Sequence, residues 1–538
     1  MKKTYILAFS IFILSILYYS IYLKYGISLS DEGYIINGVL RVMQGKLCGK
    51  DFHAYAPGRY YLIALFFKLF GTNLIIERIV FMIFLSFNTI LIFFVARKIM
   101  PELVALIPAL ITMIIPGPWH KAMDIYFFLM SLLTLIKYAN YRNLKNLFIL
   151  GFISGLTLFF RTYLGLFLLF TTPIYIAYIN FNLDKSLNKA IKHSILFITI
   201  MFCTLLPFAL YLIYKSSFLP TLQFYFFEYL DILKYPINIY TSKFPALINL
   251  INYPSSFELI IFLYVFCIVY LVSCFALIIK YKHNNYSGEF YTLLLICFWG
   301  IFYFCQVYEE PDISHLLQAG PLTYMLFAYL LYNSGYFLLK KMPFHSLLVK
   351  SLAKYLLFIM SFILIIFYII EIMNKKGSIS YYTGSIIIRY SKTVLIKSDK
   401  AHVYVQSSLG NDVNRVIEFF NSNSTPKDGL LCLPYLPMFN FLTNMENPTG
   451  LDIWFPFTVR GKQEQQKLIK DIATNIHFIL FNKPDVQSFR GYAPILYKYI
   501  ESHFKIIKQI GPFLIMKSKY AYSDPELLVI SIESCHRL

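Results

Sequence analysis

The chain has 538 residues, of which 58% are hydrophobic, 19% aromatic and only 14% charged, with a mean hydropathy of +0.61. Soluble domains carry about 25% charged residues, so this composition excludes a wholly soluble globular protein. The formal charge of +20 does not point to nucleic acid. The basic residues cluster between apolar runs, as the positive-inside rule requires, and form no aromatic-interleaved basic surface.

Apolar runs of about 20 residues, long enough to cross ~30 Å of hydrocarbon as helices, recur along the first 370 residues or so. They predict about eleven spans, at 4–23, 75–96, 102–116, 123–139, 146–160, 163–181, 194–214, 257–279, 290–307, 315–337 and 349–372. The first resembles a signal peptide in its basic start and apolar stretch. It lacks a small-residue cleavage site and precedes many further spans, so it reads as an uncleaved helix.

With the N-terminus in the cytoplasm, each inside loop is basic: Lys2 and Lys3, Arg97 and Lys98, Arg142 and Lys145, Lys185 with Lys189 and Lys192, Lys280 with Lys282, and Lys340 with Lys341. An odd number of spans then places the tail outside. The expected topology is a membrane crossed many times, with a cytoplasmic N-terminus and an extracytoplasmic C-terminal domain.

Two outside loops are long. Loop 24–74 holds aromatic and amphipathic stretches, including Tyr60 to Phe70, which suits the membrane interface. Loop 215–256 is rich in Tyr, Phe and Pro, with Glu228 and Asp231 as its acids before Pro254. Beyond Met373 the apolar runs shorten. Thr393 to Lys397, Val403 to Gln406, Leu430 to Leu433 and Phe478 to Phe481 read as strands. Asn411 to Phe420, Lys462 to Thr474 and Pro494 to His503 read as helices. The fold class expected is therefore an α-helical polytopic membrane protein, residues 1–373, followed by a soluble α/β domain, residues 374–538. Cys203, Cys267, Cys274, Cys297 and Cys305 fall inside apolar spans as small hydrophobes, and Cys48, Cys432 and Cys535 show no CxxC spacing.

Charged groups in or beside a membrane are costly and mark function more often than charges on a soluble surface. The predicted topology puts the unusual ones on the outer side: Asp31 and Glu32 after the first span, and His120, Lys121 and Asp124 at the start of the fourth. Arg161 lies between the fifth and sixth spans, and Glu309, Glu310, Asp312 and His315 between the ninth and tenth. Each has a plainer role open to it: Asp124 or Asp312 as a helix cap, Arg161 reaching the headgroups, His315 satisfied at a helix start.

The first loop reads DEGYIINGVLRVMQGKLCGKDFHAYAPGRYYLIALFFKLFG, followed by Glu77-Arg78. This string resembles the first outer loop of the GT-C glycosyltransferases of the protein mannosyltransferase, aminoarabinose transferase and Rgt-like group. The matching positions are Asp31, Glu32, Tyr34, Gly45, Asp51, Phe52, Pro57, Tyr60, Tyr61, Gly71 and Arg78. It departs at Ala56-Pro57-Gly58-Arg59, where that group usually has a Pro-Pro pair. The resemblance extends more weakly through Asp124, Arg161 and EEPDISHLLQAGP to about residue 330.

The resemblance implies an inverting transferase that takes a sugar from a polyprenyl phosphate. The attacking hydroxyl must lose its proton, so a carboxylate base is needed, and Asp31 is the residue for it, with Glu32 orienting it or binding substrate. The departing lipid phosphate gains charge that cations stabilise; Arg59, Lys121 and Arg161 are candidates, Arg161 first among them for its place between two spans. His120, Asp124, Asp312 and His315 would shape the site or hold a divalent cation; the sequence assigns no metal and no other cofactor. Expected partners are the polyprenyl-phosphate-linked donor, a lipid, glycan or protein acceptor, and membrane lipids, but no nucleic acid. The competing classes are a lipid-linked glycan transporter or flippase and an O-antigen polymerase or ligase. A polymerase or ligase would use Arg and His in a late loop, and a transporter would show repeated halves with broken helices. The tail reads as an acceptor-binding element or lid, or else as a structural cap.

Overall fold

The computed structural model describes residues 2–225, 257–283, 287–309, 313–341, 392–459 and 461–519. Its helices are α1 (Lys2–Ser20), α2 (Asp31–Met43), α3 (Gly58–Phe70), α4 (Leu74–Ala96), α5 (Glu102–Ile114), α6 (Ala122–Tyr141), α7 (Leu144–Phe160) and α8 (Thr162–Asp184). They continue with α9 (Leu187–Tyr214), α10 (Phe257–Lys282), α11 (Gly288–Glu309) and α12 (Ile313–Lys341). Every expected span from 4–23 to 315–337 coincides with one of these helices; 349–372 lies outside the described residues. Seven described helices are long and apolar enough to cross a membrane. Two others, α5 and α7, have 13 and 17 residues, short of the roughly 20 that a perpendicular crossing takes.

The chain divides into two compact units. One comprises Met1–Tyr22, Phe81–Phe208 and Thr241–Ser385; the other comprises Leu23–Val80, Ala209–Tyr240 and Ile386–Leu538. In the first, α6 packs on α7 and α8, and α12 packs on α5, α10 and α11. Small and hydroxylated residues let these helices approach. Between α6 and α7 the buried hydroxyls of Ser131 and Thr157 are hydrogen-bonded at 3.0 Å. Gly151 and Gly155 face α9 so closely that an added Cβ would lie 2.8 Å from Ile200 Cβ and 2.6 Å from the Met201 carbonyl oxygen. Lipid offers apolar side chains as good a solvent as a neighbouring helix does, so close backbone approach is what such helices gain from pairing.

The second unit joins the first outer loop to the tail. Its α2, inside what reads as a loop, begins with reciprocal capping. Ser28 Oγ accepts the Asp31 backbone N–H at 3.1 Å, and Glu32 Oε2 accepts the Ser28 N–H at 2.8 Å. One face of α2 buries Ile35, Ile36 and Val39 completely. The tail supplies β1 (Thr393–Leu395) antiparallel to β2 (Tyr404–Gln406), α13 (Ser407–Asn423), β3 (Leu430–Leu433), α14 (Met438–Thr443), α15 (Gly461–Asn475) and β4 (Phe478–Asn482). It ends with α16 (Val486–Tyr492), α17 (Pro494–His503), β5 (Phe504–Ile510) and β6 (Phe513–Ser518). The four-stranded sheet has the order β3-β4-β6-β5, parallel between β3 and β4 and antiparallel elsewhere. β3 and β4 are covered on both faces, which explains their continuous apolar runs. β5 is an edge, with a register break between Ile506 and Lys508, and its lysines protect it from adding another strand.

The tail holds α2 and the segment leading into it through several contacts. Met438 N–H donates to the Leu29 carbonyl at 3.0 Å, and Asn37 Nδ2 donates to the Pro437 carbonyl at 2.9 Å. Arg41 forms a buried ion pair with Asp452, which Asn447 Nδ2 supports at 2.9 Å. Gly33 is required here, since a Cβ at that position would lie 2.1 Å from the Met438 nitrogen.

Removing one partner of a buried ion pair leaves the other charge uncompensated. Arg41→Gln should therefore destabilise the unit by about 3 kcal/mol or more. The double replacement Arg41→Met with Asp452→Leu should recover most of that loss. Denaturant midpoints in detergent measure both, and an unchanged midpoint for Arg41→Gln would show that the pair does not hold α2.

Candidate functional site

The two neighbouring acids at the start of α2 have different surroundings. Glu32 is buried and fully engaged. Arg78 Nε donates to its Oε1 at 2.8 Å, Arg78 Nη2 to its Oε2 at 2.9 Å, and the Ser28 N–H also bonds Oε2. The rest of the Arg78 fork donates to the carbonyls of Leu23, Tyr25 and Gly26 at 2.8–3.1 Å. Glu32 and Arg78 thus tie the start of α2 to the chain segment that precedes it and to the start of α4. Beside them Glu77 is completely buried, and neither of its carboxylate oxygens has a hydrogen-bond partner among the described residues.

Asp31 is only half-buried. Its Oδ1 accepts a hydrogen bond from the Tyr435 hydroxyl at 2.9 Å. Burial first, and then the Asp31 charge, push the Tyr435 hydroxyl well above the ordinary tyrosine range, so it stays a donor. Tyr34 stands edge-on to Tyr435 and to Tyr55, with ring centroids at 6.1 and 4.9 Å, and its hydroxyl meets His53 Nδ1 at 2.9 Å. The fully buried Arg59 holds its guanidinium 5.2 Å from the centre of the Tyr55 ring. Asp31 therefore lies at the edge of an aromatic cluster that also contains a buried cation.

In the other unit, the structure brings Asp124 and Arg161 together. Arg161 is the extended residue between α7 and α8, and its Nε lies 3.6 Å from Oδ2 of the fully buried Asp124. Its guanidinium stacks 4.8 Å from the Tyr163 ring centre, and the Tyr163 hydroxyl donates to Gln306 Oε1 at 2.5 Å. Arg161 is thus held by a protein carboxylate and an aromatic face. His120 and Lys121 lie in a buried 3₁₀ turn, Trp119–Lys121, that leads into α6. His315 is half-buried in the first turn of α12, one turn before Gln318, which donates to the Tyr303 hydroxyl at 3.1 Å. Asp312, Glu310, Glu228 and Asp231 lie outside the described residues. Among the described residues, no group of three or more His, Cys, Asp or Glu side chains gathers as a metal site.

Sequence reasoning missed Tyr435, Asp452, Asn447 and Tyr55. Tyr55 lay within the first-loop string. The tail residues carried no signal, because their importance comes from contacts across 400 positions of chain.

No protein-family model and no curated protein sequence matches the chain. Solved structures do. The apo oligosaccharyltransferase of Archaeoglobus fulgidus aligns over 95% of this chain and 74% of its own, with 12% identity and a TM-score of 0.53. ArnT of Cupriavidus metallidurans, bound to undecaprenyl phosphate, aligns over 97% and 98% with 10% identity and a TM-score of 0.49. The Archaeoglobus fulgidus oligosaccharyltransferase AglB, with an inhibitory peptide and a dolichol-phosphate, aligns over 96% and 75% with 12% identity and a TM-score of 0.48. The first of these likenesses shows the fold alone: a chain of many apolar helices followed by a C-terminal region with small sheets, as in that oligosaccharyltransferase.

The two acids should respond differently to loss of charge. Glu32→Gln leaves a buried guanidinium short of its counter-charge and should cost about 3 kcal/mol of stability. Asp31→Asn, at a half-exposed position, should change stability by less than about 0.5 kcal/mol. Parallel unfolding curves of the two variants compare them, and equal losses would contradict this division of roles.

Proposed function

We propose that this chain is an inverting membrane glycosyltransferase that moves a sugar from a polyprenyl phosphate to a hydroxyl of an extracytoplasmic acceptor, with Asp31 as the base. The observation that carries the reading is the contrast at the start of α2. Glu32 is buried and held by both nitrogens of Arg78, whereas Asp31 is half-exposed and its Oδ1 accepts from the Tyr435 hydroxyl. The first-loop string and the shared fold support the same reading.

In the proposed reaction the acceptor oxygen attacks the anomeric carbon from the face opposite the phosphate. Its proton passes to Asp31 as the new C–O bond forms. The bond from the anomeric carbon to the phosphate oxygen breaks, and the lipid phosphate leaves with the electron pair. The Tyr435 hydroxyl holds the Asp31 carboxylate in one orientation, so the base does not have to be aligned during the reaction. Tyr34 and Tyr55 offer apolar faces and hydroxyls to a sugar ring. We assign Arg59 to charge stabilisation of the phosphate. Arg161, already neutralised by Asp124, is assigned to positioning in the membrane unit together with His120, Lys121 and His315. The basic loops support a cytoplasmic N-terminus and an outer C-terminal domain, and the first-loop resemblance alone supports a plasma (inner) membrane.

Membranes containing the wild type or Asp31→Asn, given radiolabelled polyprenyl-phosphate sugars with host lipids, glycans and proteins, provide the test. Loss of the base should slow transfer about 10²-fold or more. Tyr435→Phe, losing one hydrogen bond to a charged acceptor, should slow it about tenfold. Equal transfer by wild type and Asp31→Asn would remove Asp31 from the reaction, and EDTA in the same assay reads whether a divalent ion takes part.

A further inference from the structure

In the membrane unit, a cavity of about 580 Å³ lies among α1, α4 and α6. Two helical stripes line it. On α4 the stripe runs through Phe87, Ile90, Leu91 and Phe94 and ends at Arg97 and Lys98 just beyond the helix. On α6 it runs through Tyr126, Met130 and Leu133 and ends at Lys137. Both stripes follow the three- and four-residue spacing of one helix face. Each covers eleven residue steps, or about 16 Å at 1.5 Å per residue. That is half of the ~30 Å hydrocarbon core, the depth of a single leaflet. At the apolar end the rings of Phe87 and Tyr126 meet at 5.8 Å, and at the basic end Tyr5 of α1 lies against Phe94 at 6.2 Å.

Among the described residues, the three cations at the mouth meet no counter-charge. No lining residue is acidic, and Arg97, Lys98 and Lys137 form no ion pair or side-chain hydrogen bond among the described residues. Arg97 only rests over the Phe93 ring at 5.6 Å. Partial burial, followed by the charges of Lys137 and Arg97, pushes the Lys98 ammonium below its ordinary range. Other basic residues of this unit do find acids. Arg142 and Lys189 lie 2.9 and 2.5 Å from Asp184, and Lys280 lies 2.9 Å from Glu289. A general basic margin facing the cytoplasm accounts for the presence of cations but not for three unpaired ones converging on an apolar groove one leaflet deep.

We infer that this groove is a binding site for an anionic glycerophospholipid, whose acyl chain lies between the stripes of α4 and α6 and whose phosphate meets Arg97, Lys98 and Lys137. The depth favours a glycerophospholipid over a polyprenyl carrier, because the groove closes after about one leaflet. The inference is independent of the proposed transfer reaction.

The full-length protein, reconstituted in phosphatidylcholine nanodiscs containing a minor fraction of phosphatidylglycerol, is released into detergent, and retained lipid is counted by native mass spectrometry. The wild type should retain phosphatidylglycerol in preference to phosphatidylcholine. The triple variant Arg97→Gln, Lys98→Gln, Lys137→Gln should lose that preference, at about fivefold in affinity per cation removed. Met130→Trp fills the groove and leaves all three cations in place; it should also reduce retention, while both variants keep a single gel-filtration peak. Retention of both lipids equally by the wild type would overturn the site, as would phosphatidylglycerol retention unchanged in both variants. Displacement of phosphatidylglycerol by equimolar polyprenyl phosphate would overturn the assignment of the occupant.

Discussion

The buried Arg41–Asp452 ion pair is the constraint on which the candidate site rests. It joins a helix of the first outer loop to the tail, across some 400 residues of sequence. A charge pair taken out of water returns stability only when its geometry is good and its remaining valences are met. Both conditions hold: Arg41 also donates to the Asn447 carbonyl at 3.1 Å, and Asn447 supports Asp452 in turn. With Asn37 on the Pro437 carbonyl and Gly33 against the Met438 backbone, the pair fixes the rotation of α2. The helix start, and Asp31 with it, is thereby placed under Tyr435.

This arrangement bears on what the tail is for. Two readings were open, a structural cap and an element that takes part in the site. The contacts support a function for both. The sheet, with β4 buried at its centre, gives the tail its own core around Trp454, Ile479, Phe481 and Leu496. The loop after β3 then uses that rigid base to present Tyr435 to Asp31. A single hydrogen bond is a small contribution to stability, but a donor held on one carboxylate oxygen fixes the orientation of that carboxylate.

The adjacent acids Asp31 and Glu32 illustrate how burial divides two like residues. Neighbours on a helix project about 100° apart, so one turns toward the protein and the other toward the solvent-accessible edge. Glu32 meets a guanidinium whose fork also satisfies three backbone carbonyls, and this fills its hydrogen-bonding capacity. Arg161 shows the same economy in the membrane unit. Its place between two apolar helices suggested a cation at the headgroups, yet it lies against a fully buried aspartate and a tyrosine ring. A buried aspartate in such surroundings needs a counter-charge, and Arg161 supplies one.

The amino-acid sequence by itself determined the membrane class, the course of the spans from α1 to α12, most strands and helices of the tail, and the first-loop string containing Asp31 and Arg59. These features are legible because hydrophobic runs and periodicities are local, set by the solvent each segment must face. The helix α2 inside the first loop escaped that reading, because its short amphipathic pattern is stabilised by the tail it packs against. The β5–β6 hairpin also stayed hidden, since β5 is an exposed edge strand whose lysines break the apolar alternation. Only the tertiary structure decided that Tyr435 touches Asp31, that Arg78 occupies Glu32 and that Asp452 clamps Arg41. Those choices depend on which side chains meet after the chain has closed on itself, and residue spacing along a sequence carries no record of that.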